Sequence, residues 1–176
     1  QTVTAGLESF HMLDPVHPER EPNIWPYPRT GTKNAAVRLA IVSAAGGENR
    51  WVEWDREKYQ YLAKVVWKDK GPLTILVQNR KQTEEVLYSV DEHTGKLTEL
   101  LRETDDAWIN LVTSCPTWLK DGSGFLWMTE RLGEWMLQLR SREGKLVRTL
   151  TPQGFGLIDL VGVADTPGLI YVTAST

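Results

Sequence analysis

Ser123 is the first residue to weigh for chemistry, because it sits between glycines in Asp121-Gly-Ser-Gly-Phe125. A serine nucleophile of the elbow type needs Gly-x-Ser-x-Gly at a strand-to-helix turn. Asp121 and Phe125 occupy the two glycine positions, so the pattern fails. The stretch reads instead as a hairpin turn, since its residues tolerate positive φ. His11, His17 and His93 fall in arm or turn contexts, and their spacing fits no metal site, so they read as solvated side chains. Without an elbow, no Ser-His-Asp triad assembles within these residues. Glu84-Glu85 opens a strand after a turn and reads as a solvated strand entry, and Asp105-Asp106 reads as a solvated turn. Cys115 is the single cysteine, which allows no internal disulfide. No catalytic residue, metal or cofactor is expected here.

The elements around these residues are strands. Trp118 begins a short one, Asp121-Gly-Ser-Gly124 reverses the chain, and Phe125-Leu-Trp-Met128 continues as an apolar run suited to a buried sheet. Trp135–Arg140 and Leu146–Thr151 follow as a third and a fourth strand. Four antiparallel strands joined by tight turns make one propeller blade. The same unit occurs earlier, as Leu62–Trp67, Leu73–Gln78, Val86–Val90 and Lys96–Leu101. Overlaying the copies puts Trp67 on Trp118, Arg80 on Arg131 and Gly95-Lys-Leu97 on Gly144-Lys-Leu146. The offset is about 50 residues, within the range of propeller repeats.

The chain has 176 residues, a formal net charge of −3 and 41% apolar residues. That charge, with a pI near 5.7, suggests no nucleic-acid or acidic-membrane partner. No long uninterrupted apolar stretch occurs, so the chain reads as soluble, without a membrane span. Its eight tryptophans fall mostly in predicted strands and read as blade core. It begins with Gln rather than Met and has no signal peptide, which reads as a piece of something longer.

Leu7–Leu13 is a candidate strand. Asp14–Pro28 is dense in proline, which fixes φ and lacks an amide donor, so this segment is neither helix nor central strand. It reads as an arm projecting from a blade. Ala35–Ala45 and Trp51–Trp54 are strands that finish a blade, and Leu157–Val163 and Leu169–Thr173 begin another. The expected fold class is therefore all-β, a partial β-propeller of about three blades of four-stranded antiparallel sheet. The chain reads as a single fragment: an extended arm over residues 11–34, a half blade over 35–60, blades over 61–104 and 115–154, and a half blade over 157–176. About three blades leave flanks and strand edges uncovered, so the isolated piece is expected to associate with another copy.

Trp25-Pro-Tyr-Pro-Arg-Thr-Gly-Thr-Lys-Asn34 followed by Val37-Arg-Leu-Ala-Ile-Val42 resembles a segment of the N-terminal propeller domain of dipeptidyl peptidase IV and its bacterial relatives. These are serine exopeptidases of the prolyl oligopeptidase clan, peptidase family S9. Asp106-Ala-Trp-Ile-Asn110, Gly124–Arg131 and Gly144–Thr151 agree with that resemblance, which runs from about Phe10 to the C-terminus. It implies a parent hydrolase that releases X-Pro or X-Ala dipeptides from peptide N-termini. Its Ser-His-Asp triad would lie on a separate α/β-hydrolase domain of the same chain. The propeller would gate access to that domain, and this piece alone would be inactive.

The family holds the substrate amine with two glutamates, but that pair lies upstream of the Tyr-Pro segment, so the role is not carried to Glu84-Glu85. The resemblance also implies that the run after Trp108, here Asn110-Leu-Val-Thr113, faces the substrate pocket. Animal relatives carry an aromatic and an arginine there, and neither occurs in this run. Asn110 and Val112 are the substrate-binding candidates. The family's arm takes part in homodimer contacts, which makes Trp25 and Tyr27 interface candidates, against the plainer reading that both pack on the blade. A secreted or periplasmic parent is a lean from the resemblance alone. The rival readings are a non-enzymatic propeller used as a protein-binding scaffold and an all-β sandwich. The sandwich explains neither the repeat nor the Tyr-Pro arm.

Overall fold

The computed structural model describes residues 1–68, 70–164 and 168–175. No helix occurs among the described residues, and every sheet is antiparallel, so the fold class is all-β, a partial propeller. The chain divides into two compact units, Gln1–Trp51 and Val52–Thr176.

The first unit is built from short pairs. β1 (Thr2–Val3) pairs with β4 (Ala36–Val37). β2 (Ser9–Met12) and β3 (Asn23–Pro26) form a hairpin in which Phe10 faces Trp25 and Ser9 faces Pro26. The proline-rich segment thus contributes an edge strand, the one sheet position where a missing N–H is harmless. The Phe10 and Tyr27 rings lie 5.9 Å apart. The predicted strand over Ala35–Ala45 is interrupted. Its second half is β5 (Leu39–Ile41), which pairs with β6 (Arg50–Val52), at whose last residue the second unit begins. Arg38, between the halves, lays its guanidinium 3.7 Å over the Trp51 ring.

The second unit carries two four-stranded sheets and a hairpin. The first sheet runs, in chain order, β7 (Tyr61–Val66), β8 (Leu73–Gln78), β9 (Glu84–Val90), β10 (Leu97–Thr104). The second runs β11 (Thr117–Trp118), β12 (Gly124–Thr129), β13 (Met136–Ser141), β14 (Leu146–Thr149). The hairpin is β15 (Leu157–Val163) with β16 (Ile170–Ala174). The second strands, β8 and β12, are buried along their whole length. Their near-continuous apolar runs follow from being covered on both faces. β14, at the outer edge, is exposed throughout.

The core lies between the two sheets. Leu76, Leu87, Leu100 and Leu101 of the first meet Trp118, Phe125, Leu126 and Trp127 of the second, with Cys115 and Leu157 in the same cluster. A register shift interrupts the ladder between Glu99 and Leu101, and Leu100 and Leu101 are both buried. Trp118 lies on the first sheet and donates from its indole N–H to Thr74 Oγ1 at 2.8 Å. It also packs 5.0 Å from the Phe125 ring. In the turn before β14, Gly144 has φ +84°, and a Cβ there would stand 1.8 Å from the Leu100 carbonyl oxygen. The two sheets therefore meet at backbone distance.

Trp54, Trp118 and Trp127 are buried, as expected of blade core. Trp25, Trp67 and Trp108 are 56–58% exposed, so the expectation fails for them. Trp67 occupies the repeat position of Trp118 but lines an open groove rather than a neighbouring sheet.

Candidate functional site

At the β10 end of the first sheet, the chain leaves Thr104 through a turn that the Asp105 carboxylate organises. Asp105 Oδ1 accepts from the N–H groups of Ala107 and Trp108 at 2.7 and 2.8 Å. These donors hold its carboxyl below the usual range. Asp105 and Asp106 are exposed, as expected of a solvated turn. The turn sets Trp108, Ile109 and Asn110 beside the ends of β9 and β12, where they border a cavity of about 40 Å³. Glu85, Glu103 and Trp135 line it as well.

Glu103 is the clasp between the sheets. Trp127 Nε1 donates to its Oε1 at 3.1 Å, and Thr129 Oγ1 to its Oε2 at 3.4 Å. Arg131 Nε donates to the same Oε2, while its Nη2 donates to the Arg102 carbonyl oxygen. Glu85 stands directly opposite Glu103 across the β9–β10 ladder. It is 5% exposed, and its Oε2 is buried without a hydrogen-bond partner. Burial, and then the Glu103 charge, push its pKa up to about 7.

The reading of Glu84-Glu85 as a solvated strand entry is corrected on both residues. β9 is paired on either side, with β8 and with β10, and both its faces are covered. Successive strand residues point to opposite faces, so the two glutamates enter different environments, Glu84 half-buried and Glu85 buried. Glu84 accepts from Tyr59 Oη at 2.7 Å and Lys58 Nζ at 3.0 Å, and from Arg102 Nη1. Burial raises its pKa, but these three donors outweigh it and hold the carboxyl below its ordinary value.

Ser123 stays in its hairpin turn, where its Oγ donates to Asp121 Oδ1 at 2.7 Å. His11 and His93 are exposed, and His17 faces Glu19 Oε1 at 3.2 Å. Among the described residues no group of three or more His, Cys, Asp or Glu could hold a metal ion. Cys115 is buried, accepts from the Met128 N–H, and has its thiol pushed up to about 11 by burial. Asn110 borders the cavity and donates from Nδ2 to Glu130 Oε2 at 2.8 Å. Val112 is half-buried against the core. Trp25 and Tyr27 are each 56% exposed on the hairpin arm. The Glu85–Glu103 opposition and the Arg131 clasp were not read from the sequence. The available signal was period-two alternation in β9, which puts Glu85 on the same face as Leu87.

A second, open groove of about 600 Å³ is lined by the first strands of the two sheets and of the hairpin, including Lys64, Trp67 and Val161. Lys64 Nζ donates to the carbonyl oxygens of Cys115, at 2.8 Å, and Thr113, and burial lowers its pKa.

The sequence matches the family described as the dipeptidyl peptidase IV (DPP IV) N-terminal region, over residues 4–176. The chain belongs to that family. Among relatives of this DPP IV N-terminal region is the inactive dipeptidyl peptidase 10 of Rattus norvegicus, 26% identical over 161 residues, 84% of this chain and 20% of the relative. The inactive dipeptidyl peptidase 10 of Mus musculus is 25% identical over the same shares. The chain thus spans about a fifth of the length of these curated relatives. The crystal structure of Porphyromonas gingivalis dipeptidyl peptidase 4 superposes with a TM-score of 0.80 at 18% identity, over 93% of this chain and 24% of that one. That likeness is one of fold. No helix among the described residues is long and apolar enough to cross a membrane.

Proposed function

We propose that this DPP IV N-terminal region is the propeller portion of a serine exopeptidase that releases X-Pro and X-Ala dipeptides from peptide N-termini. The observation that carries the reading is the family match over residues 4–176. In this reading residues 61–104 and 115–154 are whole blades, residues 35–60 and 157–176 are halves, and residues 11–34 are the arm. The triad lies on an α/β-hydrolase domain elsewhere in the parent chain, and this portion is inactive alone. It gates substrate entry, with Asn110 and Val112 near the substrate. Asn110 is held toward the cavity by Glu130, which supports that part for Asn110 more than for the core-packed Val112. The arm supports homodimer contacts through Trp25 and Tyr27, which stand exposed beside Phe10, Met12 and Ile24. Large, rigid, exposed aromatics are the side chains that anchor interfaces.

A second reading has its own support, since two relatives are named inactive dipeptidyl peptidases. In that reading the parent is a non-enzymatic propeller scaffold that binds proteins. Hydrolysis of a chromogenic Gly-Pro anilide by the full-length parent, beside this chain at equal molarity, separates the two. Turnover by the parent alone is expected. No turnover by either favours the scaffold, and turnover by this chain overturns the assignment of the triad elsewhere.

A further inference from the structure

Glu85 has no part in the reading above, yet it is the least compensated charge in the cavity. It stands in a row across the sheet, between Gln78 on β8 and Glu103 on β10. Like charges directly opposite each other destabilise a sheet. Glu103 is compensated by Trp127, Thr129 and Arg131. Glu85 is not, because its Oε2 is buried and has no donor. A buried carboxylate without a partner is strongly unfavourable, and a cation or a proton relieves it.

The cavity supplies the rest of a cation site. Its charged lining is Glu85, Glu103, Asp105 and Glu130 against Arg131, four acids to one base. Arg131 is already engaged by Glu103 and the Arg102 carbonyl. That balance favours a cation over an anion. Trp108 and Trp135 border the same space, and aromatic faces attract cations. The volume of about 40 Å³ is a few times the roughly 10–15 Å³ that holds one water. It accommodates an –NH₃⁺ with its first methylene, and a trimethylated nitrogen lacks the N–H that Glu85 Oε2 would accept from.

We propose that this cavity binds one primary alkylammonium group, with Glu85 Oε2 as its counter-charge and Trp108 and Trp135 as its walls. The site does not depend on the peptidase reading. Gln78 from β8 and Glu103 from β10 stand opposite Glu85, and Asp105, Glu130 and Arg131 share the cavity lining with it. With Glu85 titrating at about 7, its carboxylate is present above that pH and lost below it. The ammonium is charged throughout, so binding weakens as pH falls. The rival occupant is a water bridging Glu85 Oε2 and Gln78 Nε2, which is also buried without a partner.

Saturation-transfer NMR on the full-length protein tests this with butylammonium chloride at pH 8, beside uncharged n-butanol and trimethylbutylammonium. The expected result is saturable butylammonium binding, at least about tenfold tighter than either control. The Glu85→Gln variant, which keeps the shape and removes the buried charge, loses about tenfold or more in affinity. Lowering the pH from 8 to 6 also weakens wild-type binding about tenfold, as the carboxylate fraction falls. Trp108→Ala, at an exposed position, weakens it several-fold. Equal binding of Nα-acetyl-lysine amide identifies a peptide lysine as the source, and butylammonium binding alone identifies a free amine. Absence of saturable binding, or equal affinity in wild type and Glu85→Gln, overturns the site and leaves the bridging water.

Discussion

Gly144→Ala tests the closest approach between the two sheets. Two costs add. The residue sits at φ +84°, where an alanine is strained by about 1 kcal/mol. Its Cβ would also stand 1.8 Å from the Leu100 carbonyl oxygen, far inside the 3.4 Å at which ordinary contact begins. That oxygen is backbone and cannot rotate aside, so the β13–β14 turn must lift from β10. Forced overpacking of this kind costs about 1–3 kcal/mol. A total near 3 kcal/mol lowers the melting temperature of a chain this size by about 6–12 °C. Gly133→Ala is the internal control. Its φ is +82° and nothing lies within 4 Å of the added carbon, so strain alone applies, about 2–4 °C. Thermal unfolding followed by circular dichroism reads both variants. Equal losses at the two positions would refute the claim that the sheets meet at backbone distance.

Trp118→Phe removes the indole donor to the buried Thr74 hydroxyl and should cost about 1–2 kcal/mol in urea unfolding. Trp67→Phe, at the repeat-equivalent but exposed position, should stay within about 0.5 kcal/mol. Glu85 makes stability pH-dependent. Its folded pKa, about 7, lies above the ordinary 4.5, so the folded state binds the proton more tightly. That contribution is present below pH 4.5 and is lost as pH rises through 7, by up to about 1.4 kcal/mol per pH unit. Urea midpoints at pH 5, 6 and 7 should fall in the wild type and fall less in Glu85→Gln. Replacing Trp25 and Tyr27 together by alanine should shift the sedimentation of the chain towards monomer, and an unchanged profile would remove the arm from the interface.

The repeat made the architecture legible. Gly95-Lys-Leu97 and Gly144-Lys-Leu146 mark equivalent turns, and the apolar runs Leu73–Gln78 and Gly124–Thr129 are the fully buried second strands. The β1–β4 pairing was not legible, because two residues on each side carry no period. The break at Arg38 was hidden because Ala35–Ala45 carries no glycine or proline to mark it. Burial of tryptophan depends on which sheet lies opposite, so Trp67 and Trp118 look alike in sequence and differ in space. The acid pair was the least visible. Glu85 and Glu103 face each other only in the register that the β9–β10 bulge permits, and a bulge at Leu100 leaves no mark in a leucine-rich run.

The Glu103 clasp also orders events in time. Its donors Trp127, Thr129 and Arg131 lie 24, 26 and 28 residues further along the chain. During synthesis the first sheet therefore emerges with two opposed carboxylates and no counter-charge, and it stays so until the second sheet follows. The earlier sheet is completed by the later one. A nascent chain stalled within that interval presents an unfinished acidic edge, and truncation before Trp127 takes stability from the sheet that precedes the cut.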